Sequence, residues 1–217
     1  MANYNKLAES VKYKKIGRRV LLAEKDNRLQ LLGKGRSAFV FSVAGTDKAL
    51  KVFFPEFTAV AREEAQIYQR LAGLSYFPRL YDAGTNYLVM DLIDGKTFFS
   101  CAASGTQIRP AYIKEVDHAI KLAREKGLNP SDIHLRNIFI TNDGNVKLID
   151  VARFRQSKVC SQWNDLKTAY YKFYHHRLFP KKIPAYLLNT IAFLYKKNYL
   201  ERLLSGKSPK WKGRQAG

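Results

Sequence analysis

The stretch Asp132-Ile-His-Leu-Arg-Asn137-Ile-Phe-Ile140-Thr-Asn-Asp-Gly-Asn145-Val-Lys-Leu-Ile149-Asp150 decides how the rest of the chain is read. Two short apolar runs, Ile138 to Ile140 and Val146 to Ile149, flank Asn142-Asp-Gly-Asn145, which is a hairpin turn signal. Polar residues sit at both ends of this hairpin. Asp132 and Asn137, five residues apart just before it, suit a base or positioning group plus a metal ligand. The plainer reading is a polar loop in which Asp132 caps a turn. Asp150 directly follows the second run. A carboxylate there is either exposed or bound to something, and Mg²⁺ prefers one or two carboxylates plus phosphate oxygens.

Upstream, Tyr112 to Lys126 places Ile113, Val116, Ile120 and Ala123 on one side of a helix, and Gly127 stops it. Asp94-Gly95 breaks the pattern and marks a lobe boundary. Before it come two strands, Arg79 to Ala83 and Tyr87 to Leu92, turned by Gly84-Thr-Asn86. Thr58 to Ala72 spaces its apolar residues three or four apart and reads as a helix. Ala49 to Phe53 is a short strand, and Leu29 to Val43 is a hairpin around glycines. This is a five-stranded antiparallel layer with one helix inserted after its third strand. Residues 1–28 read as a basic N-terminal extension, in which Asn3 to Arg19 is a helix or a mobile arm. Downstream, Trp163 to His175 and Ala185 to Leu204 read as helices, and 205–217 as a disordered basic tail. The fold class is α+β in two parts, 29–93 sheet-rich and 94–204 helical.

Three further features carry chemistry. Gly33-Lys34-Gly35-Arg36-Ser37-Ala38-Phe-Val40 is a loop whose glycines let backbone N–H groups approach a phosphate. It is not a P-loop, because no Gly-Lys-Ser/Thr opens a helix. Lys51 sits inside the apolar strand Ala-Leu-Lys-Val, one hairpin later, within reach of phosphates under that loop. Glu63 and Glu64 follow on the next helix, and either could pair with Lys51. Taken singly, these fit a hairpin turn, a solvated strand face and a solvated helix face.

Their order is more specific than any one of them. Glycine loop, strand lysine, helix glutamate, Asp…Asn loop and strand-end aspartate follow the order of the protein-kinase signature set. From Leu29 to Leu204 the chain resembles the protein-kinase-like superfamily, especially small bacterial serine/threonine-kinase-like proteins, RIO-type kinases and aminoglycoside-type phosphotransferases. The resemblance implies a two-lobed fold with a five-stranded N-lobe and a reduced helical C-lobe, and ATP and Mg²⁺ as cofactors. Gly33 to Val40 would cover the phosphates. Lys51, oriented by Glu64, would hold the α- and β-phosphates. Met90 would be the gatekeeper, and backbone groups of Asp91 to Ile93 would meet adenine. Asp132 would accept or orient the acceptor hydroxyl proton, and Asn137 and Asp150 would hold the metal. Asp165 resembles the buried helix aspartate that braces the catalytic loop.

The chain departs from the pattern in places. Ser37-Ala38 replaces the third glycine, Pro130-Ser-Asp132 stands for His-Arg-Asp, and Asp150-Val-Ala152 for Asp-Phe-Gly. No Ala-Pro-Glu follows, and Trp163 comes too soon for a long activation loop. The resemblance therefore implies a compact serine/threonine protein kinase that is competent without a switch. The missing loop also removes a peptide platform, and His134 resembles the small-molecule variants. A kinase for a small molecule or a lipid-linked sugar hydroxyl is the alternative within the fold.

Composition adds a third reading. The net charge is +20. From Val151 onward fifteen Lys/Arg face only Asp165 and Glu201, a net of +13. Such a face attracts nucleic acid, acidic proteins or anionic lipid. A basic pseudokinase docking nucleic acid or an acidic partner is the reading from a different class. Tyr170, Tyr171, Phe173 and Tyr174 interleave with basic residues, either as a stacking platform or as a core stripe. The two cysteines, Cys101 and Cys160, form no CxxC pair and read as reduced thiols. No secretory signal or membrane span is legible, and the address expected is the cytoplasm.

Overall fold

A computed structural model describes residues 3–17 and 19–196. Its elements are α-helices and antiparallel sheets, an α+β arrangement. The main sheet has five strands: β3 (Leu29–Lys34), β4 (Ala38–Val43), β5 (Lys48–Phe53), β6 (Leu80–Ala83) and β7 (Tyr87–Asp91), in the order β3-β4-β5-β7-β6. Helix α2 (Thr58–Arg70) lies between β5 and β6 in sequence, as the apolar spacing predicts.

Strands β4, β5 and β7 are apolar on both faces because both faces are covered. Ala49, Phe53, Leu88 and Met90 pack on one side with α2 and with helix α4 (Pro110–Glu125). Phe39, Phe41, Leu50, Val52 and Val89 pack on the other side with Leu7, Ala8 and Val11. Those last three come from the N-terminal segment. Residues Tyr4–Ser10 form helix α1, capped where Asn3 Oδ1 accepts from the Lys6 N–H at 3.1 Å. Strands β1 (Lys12–Ile16) and β2 (Arg19–Glu24) then pair antiparallel. The helix-or-arm alternative resolves into a helix whose Leu7 and Ala8 are buried under the sheet. The β1–β2 hairpin was not predicted; its inward Tyr13, Val20 and Leu22 are diluted by lysines and arginines in sequence.

Asp94-Gly95 is not a simple break. Gly95 opens strand β8 (Gly95–Thr97), which joins β9 (Ile138–Thr141) and β10 (Val146–Leu148) in a three-stranded sheet, order β10-β9-β8. A Cβ at Gly95 would lie 2.3 Å from the Ile140 carbonyl oxygen, so the close approach of β8 to β9 requires glycine. The predicted hairpin is β9–β10, and Gly144 at φ 79° supplies its left-handed turn position. Helix α3 (Phe98–Ser104), missed in the sequence, starts at Thr97, whose Oγ1 accepts from the Ser100 N–H. Helix α5 (Gln162–Ala169) passes into a π-turn at Tyr170–Tyr174, and α6 spans Ala185–Lys196. The remainder of the predicted last helix and the basic tail lie outside the described residues. Both cysteines are free thiols, Cys101 buried and Cys160 partly so.

Candidate active site

The residues that the resemblance assigns to nucleotide, metal and catalysis line one cleft of about 850 Å³ between the five-stranded sheet and the helical part. The glycine loop, Lys51, Glu64, Met90 to Ile93, Asp132, Asn137 and Asp150 all border it. The structure brings them together from strands β3, β4, β5 and β7, helix α2 and the segments that follow β3, β7, α4 and β10.

Strand β5 alternates, so Ala49, Lys51 and Phe53 share the face turned to α2. On α2, Glu64 falls on the buried stripe with Ala61, Ala65 and Tyr68, whereas Glu63 does not. A charged residue on an apolar stripe is a signal that spacing alone could have supplied. Lys51 Nζ donates to both Glu64 carboxylate oxygens at 2.7 Å, and to Asp150 Oδ1 at 3.1 Å. Burial acts to lower the Lys51 pKa, but the Glu64 and Asp150 charges more than reverse it, so Lys51 stays above its ordinary value. Burial pushes the Glu64 carboxyl up, with Lys51 opposing. For Asp150 burial pulls upward, and the Lys51 ammonium wins and holds it below the ordinary carboxylate value.

Asp132 and Asp150 share an unusual backbone. They are the non-glycine residues with positive φ among those described, at 60° and 59°. Such a conformation costs on the order of 1–3 kcal/mol and persists only where the surroundings impose it. Here the Asn137 N–H donates to the His134 carbonyl, Asn137 Nδ2 to the Asp132 carbonyl, and the Ile149 N–H to the Asn137 carbonyl. These bonds tie the Asp132 loop to the end of β10. Asn137 is buried and spends Nδ2 on the loop, which leaves Oδ1 as its remaining polar atom. Half of the Asp150 side chain is exposed. Two hard oxygen donors fit Mg²⁺, which takes few protein ligands when phosphate oxygens supply others. Among the described residues, no group of three or more His, Cys, Asp or Glu gathers to hold a metal.

At the end of β7, Asp91 Oδ2 accepts from the Arg79 N–H, the Asp91 N–H goes to the Arg79 carbonyl, and the Leu92 N–H goes to the Asp47 carbonyl. Ile93, which follows, borders the cleft. A Cβ at Gly33 would meet nothing within 4 Å, and at Gly35 only the Ala38 oxygen at 3.7 Å. The protein's own packing does not require either glycine, and the space in front of the loop is open.

Several features around the cleft were not foreseen. Arg153 Nε lies 3.4 Å and Arg36 Nη2 lies 3.6 Å from Asp132 Oδ2, so a guanidinium from each side of the cleft flanks that carboxylate. Arg155 donates to Gln66 on α2 at 2.6 Å, and Asn129 Nδ2 donates to the Gln156 and Lys158 carbonyls. Tyr68, one turn after Glu64, is buried with a hydroxyl that has no hydrogen-bond partner. Asp165 does not brace the Asp132 loop. It is half-buried, and Oδ2 accepts from Ser161 and Tyr195, which ties α5 to α6. The aromatic run divides, with Tyr170 and Tyr174 in the core and Tyr171 and Phe173 exposed.

No protein-family model matches the chain. A protein of Bacillus subtilis (strain 168) named "Putative serine/threonine-protein kinase YrzF" is 47% identical over 207 residues, which is 94% of this chain and 96% of the relative. Among the described residues no helix is long and apolar enough to cross a membrane.

Proposed function

Since the chain belongs to the serine/threonine-kinase-like family of that Bacillus relative, we propose that it is a compact kinase that transfers the γ-phosphoryl group of ATP to a serine or threonine hydroxyl of a protein. The observation that carries this reading is the Lys51–Glu64 pair, formed at 2.7 Å and in contact with Asp150, at the back of the cleft that Asp132 and Asn137 border. Bound Mg·ATP supplies the transferable group and a cation that neutralises its charge.

The chain's own residues do the rest. Lys51, kept charged and aimed by Glu64, holds the phosphates. Asn137 and Asp150 hold the cation, and Asp150 is ionised at neutral pH because Lys51 keeps its pKa low. The Ile93 N–H and the carbonyls beside it hold the adenine edge. Asp132 takes or orients the acceptor hydroxyl proton, in the left-handed conformation that the Asn137 bond to its carbonyl maintains. Arg36 and Arg153 keep Asp132 in place and lie where a transferred phosphoryl group would need positive charge.

The segment after Asp150 supports competence without phosphorylation. Arg155 already anchors it to α2, and Asn129 anchors it to the preceding loop. No modification is needed to bring Glu64 to Lys51.

The test is transfer of radiolabelled γ-phosphate with Mg²⁺ to the protein itself and to generic acceptor proteins, for wild type, Asp132→Ala and Asp150→Ala. Label in wild type that is lost in both variants is the expected result. Absence of label together with absence of any Mg·ATP-dependent rise in thermal stability would sink the proposal. Mg·ATP stabilisation without label would move the acceptor from a protein to a small molecule.

A further inference from the structure

Helix α6 has a small stake in the core, with one buried residue among those described. Leu188 is buried, and Tyr195, two turns later on the same side, is half-buried and donates to Asp165. The other sides look outward: Tyr186 is 73%, Leu187 42% and Ile191 43% exposed. Leu187, Ile191 and Leu194 stand at i, i+4 and i+7, a continuous apolar stripe, with Tyr186 beside it. From Ala185 to Tyr195 the sequence contains no charged residue. Lysines bracket it: Lys181-Lys182 before, Lys196-Lys197 after. Lys181 is engaged with the Tyr174 and His176 carbonyls, whereas Lys182 and Arg177 are exposed.

We propose that α6 is a docking surface for an anionic lipid bilayer, with its apolar stripe at the boundary between headgroups and acyl chains and the surrounding Lys and Arg side chains on lipid phosphates. The reason lies in the pairing of an uncharged face with a strongly basic surround. A stable monomer gains nothing by leaving such a stripe in water. Nucleic acid would need the charges on the face itself, because phosphate contacts supply its affinity. A second copy would bring two basic regions together, each part of a segment carrying +13, and like charges oppose that contact. An anionic leaflet accepts the apolar side chains and attracts the basic rim at once. Among the described residues no helix is long and apolar enough to cross a membrane, and the proposal places α6 in the plane of the interface. Asn189 on α6 accepts from Arg136 at 2.8 Å, so the docked helix is one hydrogen bond from the loop that carries Asp132. The proposal does not depend on kinase activity.

The experiment is co-sedimentation of the full chain with vesicles of phosphatidylcholine alone and of equal parts phosphatidylcholine and phosphatidylglycerol. Binding to the mixed vesicles and not to the neutral ones is expected. The charge-neutral double variant Leu187→Asn/Ile191→Asn should weaken that binding by on the order of tenfold or more. A second variant, Arg177→Gln/Lys182→Gln, should weaken it and reduce its salt dependence while leaving the stripe intact. Circular dichroism and the thermal midpoint report that both variants remain folded. Binding undiminished in Leu187→Asn/Ile191→Asn would overturn the proposal in favour of charge alone. So would an absence of vesicle binding, whether the chain is a dimer by light scattering, which assigns the stripe to a second copy, or a monomer, which assigns it to the chain's own residues 197–217.

Discussion

The floor and the rim of the cleft use the same kinds of group and hold them differently. On the floor, the Lys51 and Glu64 side chains are 12% and 1% exposed, and both carboxylate oxygens meet the ammonium. On the rim, Asp132 sits between two guanidinium groups at 3.4 and 3.6 Å, the arginines 50% and 76% exposed. Exposed pairs like those of the rim contribute roughly 0–1 kcal/mol. Removing one partner of a buried pair leaves an uncompensated charge, at about 3–5 kcal/mol. The floor is therefore fixed by the fold, and the rim is free to rearrange.

Lys51→Met attacks this contrast where it is strongest. It leaves Glu64 buried without its cation, and the variant should lose about 3–5 kcal/mol in chemical denaturation at neutral pH, together with its Mg·ATP stabilisation. The loss should depend on pH in a definite direction. Burial raises Glu64 above its ordinary 4.5, and Lys51 is what opposes that rise. Without Lys51 the folded protein takes up the Glu64 proton before the unfolded chain does. Its stability therefore recovers as pH falls from the folded pKa toward 4.5, and the gap to wild type narrows. A gap constant from neutral pH down to that value would show that lost packing, not a stranded charge, sets the cost.

Asp132→Gly should do the opposite on the rim. Glycine adopts φ near +60° without the strain that aspartate bears there, at some cost in unfolded-state entropy. Stability should stay level or rise by up to about 1 kcal/mol, while transfer falls by roughly 10²–10⁴ as the carboxylate is lost. A destabilised Asp132→Gly would mean that the arginine pairs on the rim matter to the fold as much as the floor pair does.

The same contrast explains what could be read in advance. Strands β4, β5 and β7 were legible because their apolar runs are dense, and their density reflects burial on both faces. The Asp132–Asp150 segment was legible because a hairpin signal stands between its polar ends. Strand β8 was not, since Gly95 answers to the Ile140 carbonyl across the sheet and reads locally as a break. Nor was the rim, because Arg153 and Arg36 lie far apart in sequence and meet only through Asp132. Asp165 misled for a related reason: its place on a helix is local, but its partners Ser161 and Tyr195 are set by how α5 and α6 pack.

Tyr68 offers the smallest and finest test, because it sits on the floor without belonging to the pair. Its hydroxyl has no hydrogen-bond partner, and it lies against the backbone of Asp150. Burial, with the charges of Glu64 and Asp150, pushes it well above 10, so it remains a neutral donor at any working pH. An unmet buried hydroxyl costs about 1–3 kcal/mol. If the floor is as dry as the Lys51–Glu64 pair implies, Tyr68→Phe should leave the unliganded protein as stable as wild type or up to about 1 kcal/mol more so. The chain would then gain nothing from the hydroxyl until Asp150 turns toward a bound cation, and the variant should show a smaller Mg·ATP-induced rise in melting temperature. A loss of stability in the unliganded Tyr68→Phe protein would point the other way. It would mean that water reaches the hydroxyl, that the floor is wet behind Glu64, and that the cost assigned to stranding Glu64 must be revised downward with it.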